Sequence, residues 1–295
     1  MTKNKKHVII KPMSSFIQKA FNITKENIII AQPLIIFLLI ISLTFGALTQ
    51  QTNKIYYLVF STANLLLCTA FFAGWFYMIK QAIHHNKRVE NNEYRNDEAK
   101  IEASNALGKE FFPGVGEYFL SITYTTIVYA IVYGLLTFIS FKVGLKLLPN
   151  PHINIQDFMA AANSTPAEMH KYIYGLSFQQ LKAMNIWMLY IGGILSAFTF
   201  LTMFLFPAVY DKKESGFKIL LTPFVAFNRN IRFIFKHFIG SLGILIFLFI
   251  LNIVFSLLSL IFSINIILSI IGLIISFYFM TYAVVLIFLY YEENK

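Results

Sequence analysis

From Phe238 to Tyr291 the chain runs 54 residues without a charged side chain. A single helix of that length, rising 1.5 Å per residue, would extend about 80 Å against roughly 30 Å of bilayer hydrocarbon. The run therefore predicts a helical hairpin, turning at Ser263-Ile-Asn265, where two turn-favouring polar residues lie close together near its middle. Four uncharged or nearly uncharged runs precede it: Asn27–Asn53, Ile55–Ile79, Tyr118–Phe141 and Ala183–Tyr210. Gln50–Lys54 leaves room only for a turn between the first two. The expected fold is all-α, a polytopic membrane bundle of six transmembrane helices in three hairpins.

Between the runs the pattern changes to helical amphipathicity. Phe16, Ile17, Ala20 and Phe21 recur on one helical face while Gln18, Lys19 and Lys25 lie off it, which predicts a short helix in the interface before the first span. A second amphipathic approach, Phe224 to His237, precedes the fifth. The two share a weak repeat, Ala20-Phe-Asn22 and Ala226-Phe-Asn228. Residues 80–117 mix six basic with seven acidic side chains, and His84–Asp97 lacks apolar periodicity, so this connection reads as a solvated linker. In the 147–182 connection, Thr165-Pro-Ala-Glu168 has capping-box spacing with Pro at the first helical position. Met169, Tyr172, Ile173 and Leu176 then form a stripe, predicting a helix from Pro166 to about Lys182 that needs an apolar partner, lipid or bundle. Small residues four apart, Ala70/Gly74, Ala130/Gly134 and Gly193/Ala197, mark expected close helix approaches, and Asn64 is expected to face protein.

Composition agrees: 57% hydrophobic, 13% charged and a mean hydropathy of +0.65, against about 25% charged in a typical soluble domain. The net charge of +10 raises nucleic acid as a partner, but the basic residues form no contiguous patch with stacking aromatics, so none is expected. Nineteen Lys and Arg fall on the side of residues 1–26, 80–117, 211–237 and 292–295; five fall opposite, at 54, 142, 146, 171 and 182. The positive-inside rule then places both termini in the cytoplasm, next to anionic lipid of the cell membrane. The implied division is a cytoplasmic tail with an amphipathic helix over 1–26, a six-span membrane domain over 27–291, and a tail over 292–295. Residues 1–12 are expected to be disordered. Cys68 is the single cysteine, so no intramolecular disulfide exists.

Candidate chemistry is sparse. His84-His85 on a helix would diverge by about 100°, and His152 and His170, with Asp157 and Glu168 nearby, offer ligand types without a fixed geometry; no metal or cofactor is expected. Asp and Glu are missing from all six runs, which disfavours carboxylate-driven transport. The best polar surface is the face of the third span carrying Thr126, Tyr129, Tyr133 and Thr137, joined by Asn252 in the fifth. These residues either line a site for a headgroup or small solute or serve interhelical hydrogen bonding.

At Pro207-Ala-Val-Tyr-Asp211, then Ala226-Phe-Asn228 and a long apolar hairpin ending Tyr290-Tyr-Glu292, the chain resembles a loose group of bacterial six-span membrane proteins. Some members of that group form the membrane domain attached to glycerophosphoryl diester phosphodiesterases. The resemblance implies the same six-span architecture. These 295 residues hold no hydrolase domain, so no phosphodiesterase residues carry over. The expected role is a non-enzymatic structural or accessory protein acting through lipids, a protein partner or a second copy of itself; the alternative is a transporter or flippase-like carrier for a lipid or other amphiphile.

Overall fold

The computed structural model describes residues 12–49, 53–94, 97–211, 216–262 and 265–295. Its helices are α1 Met13–Glu26, α2 Gln32–Thr49, α3 Lys54–Glu90, α4 Asp97–Ala106, α5 Phe111–Leu147, α6 Ile155–Ala162, α7 Pro166–Tyr174, α8 Phe178–Thr202, α9 Leu205–Val209, α10 Thr222–Lys236, α11 Phe238–Phe262 and α12 Ile266–Asn294. Short 3₁₀ turns precede α2, α5 and α10, and no strand occurs among the described residues. Six helical segments are long and apolar enough to cross a membrane, the signature of a multi-pass membrane protein. The chain divides into two compact units, Met1–Ile127 with Thr202–Lys295, and Val128–Leu201.

The hairpin turns fall where the polar residues sit. Asn53 caps α3, its side chain accepting from Ile55 N–H at 2.9 Å, and Asn265 caps α12 by accepting from Leu268 N–H at 2.9 Å. Residues 50–52, Ser263 and Ile264 lie outside the described residues, as do residues 1–11. Past the last turn, a Cβ on Gly272 would lie 2.7 Å from the Phe262 side chain, so only glycine lets α11 and α12 close there.

In the first unit the core sits toward one end. Trp75, Met78, Ile79, Ile83, Ile122, Phe204, Tyr210, Ile234, Leu286 and Tyr291 are all buried, together with Ala20 and Ile23 of α1. Leu39 and Leu43 of α2, Leu58 and Val59 of α3, Phe249 and Ile253 of α11 and Ile270 and Ile274 of α12 are exposed instead. The physical reason is the solvent. Lipid tails give apolar helix faces no drive to associate, whereas the helix ends that emerge from lipid meet water and gain by burying apolar area. At 37 residues, α3 is about 55 Å long, well beyond the hydrocarbon thickness. Its surplus turns carry the core.

Several expectations are corrected. The solvated linker over 80–117 is mostly helix: α3 continues to Glu90, burying Ala82, Ile83, His85 and Asn86, and α4 follows. Periodicity over His84–Asp97 misses this because the buried face includes His85 and Asn86. Phe21, expected on one face with Phe16 and Ala20, is 47% exposed while those two are buried. Five residues on a helix rotate about 140°, taking Phe21 off the face of Phe16. The helix predicted from Pro166 stops at Tyr174. There Ser177 starts α8 with a capping box: its hydroxyl accepts from Gln180 N–H at 3.3 Å, and Gln180 Oε1 accepts from Ser177 N–H at 2.9 Å. Thr165 caps α7 as its sequence predicts, accepting from Glu168 N–H at 3.4 Å. The stripe's contact is local, with Tyr172 edge-on to Phe158 of α6 at 6.0 Å.

Of the three small-residue pairs, the first marks a real approach. A Cβ on Gly74 would meet the Phe111 carbonyl oxygen at 2.7 Å, and one on Gly114 would meet Tyr77 Cβ at 2.5 Å. Here α3 and α5 touch backbone to backbone. Gly134 and Gly193 have nothing within 4 Å. In the second unit the close approach is at Gly144, where a Cβ would lie 2.7 Å from the Trp187 ring.

Candidate functional site: an aromatic and charged hub in the first unit

The segment Pro207-Ala-Val-Tyr-Asp211 lies at the centre of the first unit's core. It follows a break between α8 and α9, where Phe204 N–H loses its helical acceptor. The Oδ1 of Asn230 on α10, fully buried, accepts that proton at 2.9 Å. A broken helix can sit in a core only if such freed groups are paired.

Tyr210 is also fully buried. Its hydroxyl donates to the Ala73 carbonyl at 2.8 Å, its ring centroid is 4.3 Å from that of Tyr118, and its own carbonyl accepts from Lys80 Nζ. One residue thus ties α3, α5 and the end of α9 together. Asp211 extends the connection to the C-terminal end of α12. Its Oδ2 accepts from the Tyr291 hydroxyl at 2.5 Å and its Oδ1 from Lys295 Nζ at 2.8 Å. Phe204 and Phe233 pack around Tyr290 and Tyr291, with centroids 4.7 to 6.0 Å apart.

Charges around this ring cluster are paired across elements. Lys295 also meets Glu292 at 2.8 Å, and His84 Nε2 lies 3.8 Å from the same carboxylate. Lys19 of α1 bridges Glu293 at 2.5 Å and Glu90 of α3 at 2.7 Å. Burial pulls the Lys19 pKa down, but the hydrogen bonds it donates to Glu293 and Glu90 outweigh that and leave it raised; Lys295 is raised likewise, against burial, by Asp211 and Glu292. The cations stay charged: Lys19 joins α1 to α3 and α12, and Lys295 joins the end of α12 to Asp211. Sequence reasoning identified the 207–211 segment only through resemblance. Asn230 and the Lys19 bridges gave no signal, because their partners lie far off in sequence.

The expected polar lining is placed as follows. Thr126 belongs to the first unit and Asn252, on α11 of that unit, is exposed. In the second unit Tyr129 and Tyr133 flank Phe198 of α8, with centroids at 5.4 and 5.9 Å, and Thr137 donates to the Tyr133 carbonyl at 2.8 Å. Asn64 is buried, as expected. His85 Nδ1 pairs with the Tyr94 hydroxyl at 2.5 Å, away from the Glu292 partner of His84. No group of three or more His, Cys, Asp or Glu residues suited to a metal occurs among the described residues.

Two apolar grooves open on the first unit. One, of about 510 Å³, lies between α2 and α3 beside the start of α5 and is lined by Ile36, Phe37, Leu67, Phe71 and Phe112. The other, of about 330 Å³, is bounded by Phe247, Phe255, Tyr278 and Phe279 of α11 and α12 and by Phe21. Compared with known protein families, characterised proteins and solved structures, the chain matches none.

Proposed function

We propose that this protein is a non-enzymatic accessory or structural component of the cell membrane, with both termini cytoplasmic, acting through lipids or a protein partner. The observation that carries the reading is the hub. Fully buried Tyr210 and Tyr291, with Tyr118, Phe204 and Phe233 around them, close the end of the first unit, and its carboxylates are each engaged by a cation or a hydroxyl. Such an arrangement holds helices together. It leaves no carboxylate free to relay a proton, and the grooves beside it are apolar, suited to acyl chains. The six-span group that the chain resembles supplies the same architecture without an activity. The carrier alternative draws on the Tyr129 and Tyr133 face; the packing of those rings on Phe198 favours interhelical contact over a solute lining.

The test is reconstitution of the full chain into vesicles containing fluorescent phospholipid, followed by chemical bleaching of the outer leaflet. The expected result is bleaching of about half the signal, as in protein-free vesicles. Protein-dependent loss of the remainder would mean lipid transfer across the bilayer and would end the accessory reading.

A further inference from the structure

Helix α10 has two apolar faces. One packs on the bundle: Thr222, Ala226, Asn230 and Phe233 are buried along it. At about 100° per residue, Phe224, Phe227, Ile231 and Phe235 fall on a second stripe that adjoins the first, centred about 125° round the helix from it. Phe224 is 63% exposed, Phe227 44% and Phe235 70%. Three outward Phe rings on a 15-residue helix need a cover, since each forfeits free energy in water. Arg232, exposed, borders this stripe about 60° past Phe235 and exposed Lys236 lies about 40° further round; neither makes an ion pair among the described residues, and no Asp or Glu occurs anywhere from 216 to 291.

The repeat provides an internal contrast. With an offset of 206, Phe16, Ala20 and Thr24 of α1 and Asn27 at its C-cap are buried at the positions matching Thr222, Ala226, Asn230 and Phe233, while buried Ile234 matches Ile28, which is 68% exposed. Their outward faces differ. Of the four stripe positions two differ: Phe224 and Ile231 correspond to Gln18 and Lys25, whereas Phe227 corresponds to Phe21 and Phe235 to Ile29; the counterpart of Arg232 is Glu26. The uninterrupted apolar stripe with its cationic border is thus a property of α10, over and above what docking on the bundle demands.

We infer that α10 is an interfacial helix that recognises anionic phospholipid, its Phe224, Phe227, Ile231 and Phe235 stripe set among acyl chains and Arg232 and Lys236 at the level of the phosphates. This rests on the proposed role through lipids and names the lipid class. Charge complementarity selects the occupant: a row of rings needs only hydrocarbon, whereas unopposed cations to one side of it favour an anionic surface over a zwitterionic one.

Hydrogen exchange over Thr222–Lys236 tests it, with the full chain in nanodiscs of phosphatidylcholine alone or of phosphatidylcholine mixed with phosphatidylglycerol. Exchange should slow on the order of tenfold in the anionic discs, and the difference should shrink as salt is raised. Arg232→Gln with Lys236→Gln should abolish the lipid dependence while detergent-solubilised protein unfolds as the parent does, showing the fold intact. Phe224→Ser with Phe235→Ser should speed exchange in both discs. Equal exchange in the two discs, or a lipid dependence that survives loss of both cations, would overturn the inference. So would full protection in detergent accompanied by a dimer that Phe235→Ser dissociates, since the face would then belong to a second copy. Lipid transfer in the vesicle assay would remove the accessory role yet leave this contrast standing, so the two failures are distinguishable.

Discussion

Replacing Tyr210 separates the contribution of its ring from that of its hydroxyl. The hydroxyl donates to Ala73 at 2.8 Å and reaches the Phe72 carbonyl at 3.3 Å. Both acceptors belong to α3, whose own ladder supplies them with a helical N–H, so Tyr210→Phe leaves no carbonyl unpaired. Its cost should be about 1 kcal/mol, the net worth of one intramolecular hydrogen bond. Tyr210→Ala removes a fully buried ring that contacts Tyr118 and Phe288 and opens a cavity in a dense core. The cost expected for truncating a buried aromatic is about 3 to 5 kcal/mol. Trp75, 2% exposed in the same core, reports the transition once Trp187 is changed to Phe. Equilibrium unfolding of detergent-purified protein should rank parent, Tyr210→Phe and Tyr210→Ala in that order, with Tyr174→Ala, at 85% exposure, as an unaffected control. Equal losses for Phe and Ala would mean the ring fills nothing. An unchanged Trp75 transition in both would refute the view that the hub holds the unit together.

Two further outcomes follow from the geometry. Gly74→Ala and Gly114→Ala should each destabilise by about 1 to 3 kcal/mol or more, because the new Cβ meets the Phe111 carbonyl and Tyr77 Cβ, whereas Gly134→Ala, with nothing within 4 Å, should leave the same unfolding midpoint unmoved. His237 has its pKa depressed by burial first and by Lys236 second, against a hydrogen bond to the Asn294 backbone. Its stabilising contribution is therefore full above the ordinary histidine value of about 6.5 and lost as pH falls through the lower folded value, and His237→Gln should flatten the decline in stability measured below that pH.

The six spans and their turns were legible because lipid imposes a one-dimensional rule: about 20 apolar residues per crossing, with polar residues at the turns. Asn53 and Asn265 are cases where residue type alone fixes a cap. Close approach was less legible. Gly74 and Gly134 each stand in the same small-residue spacing, and only Gly74 meets another backbone. Spacing states that a helix can be approached; whether a neighbour arrives depends on which face the rest of the fold turns toward it. Within the hub, Asp211 and Tyr291 are 80 residues apart and Lys19 and Glu293 still further, so the pairing that gives Asp211 its role has no local trace.

The helix α10 shows how the two kinds of signal combine. Its inward face follows the bundle, and Phe16, Ala20, Thr24 and Asn27 are buried at the same offset, so those positions are set by packing. Burying a face on the bundle does not itself require Phe at 224 or Ile at 231, since Gln18 and Lys25 occupy the matching places in α1, which also buries one face. Isolated exposed apolar residues are ordinary on any protein, but a stripe recurring at helical spacing, bordered by Arg232 and interrupted in its repeat partner by Gln18 and Lys25, is a second pattern laid over the first. The hub accounts for one face of α10, and the membrane surface supplies the chemistry that the other face fits.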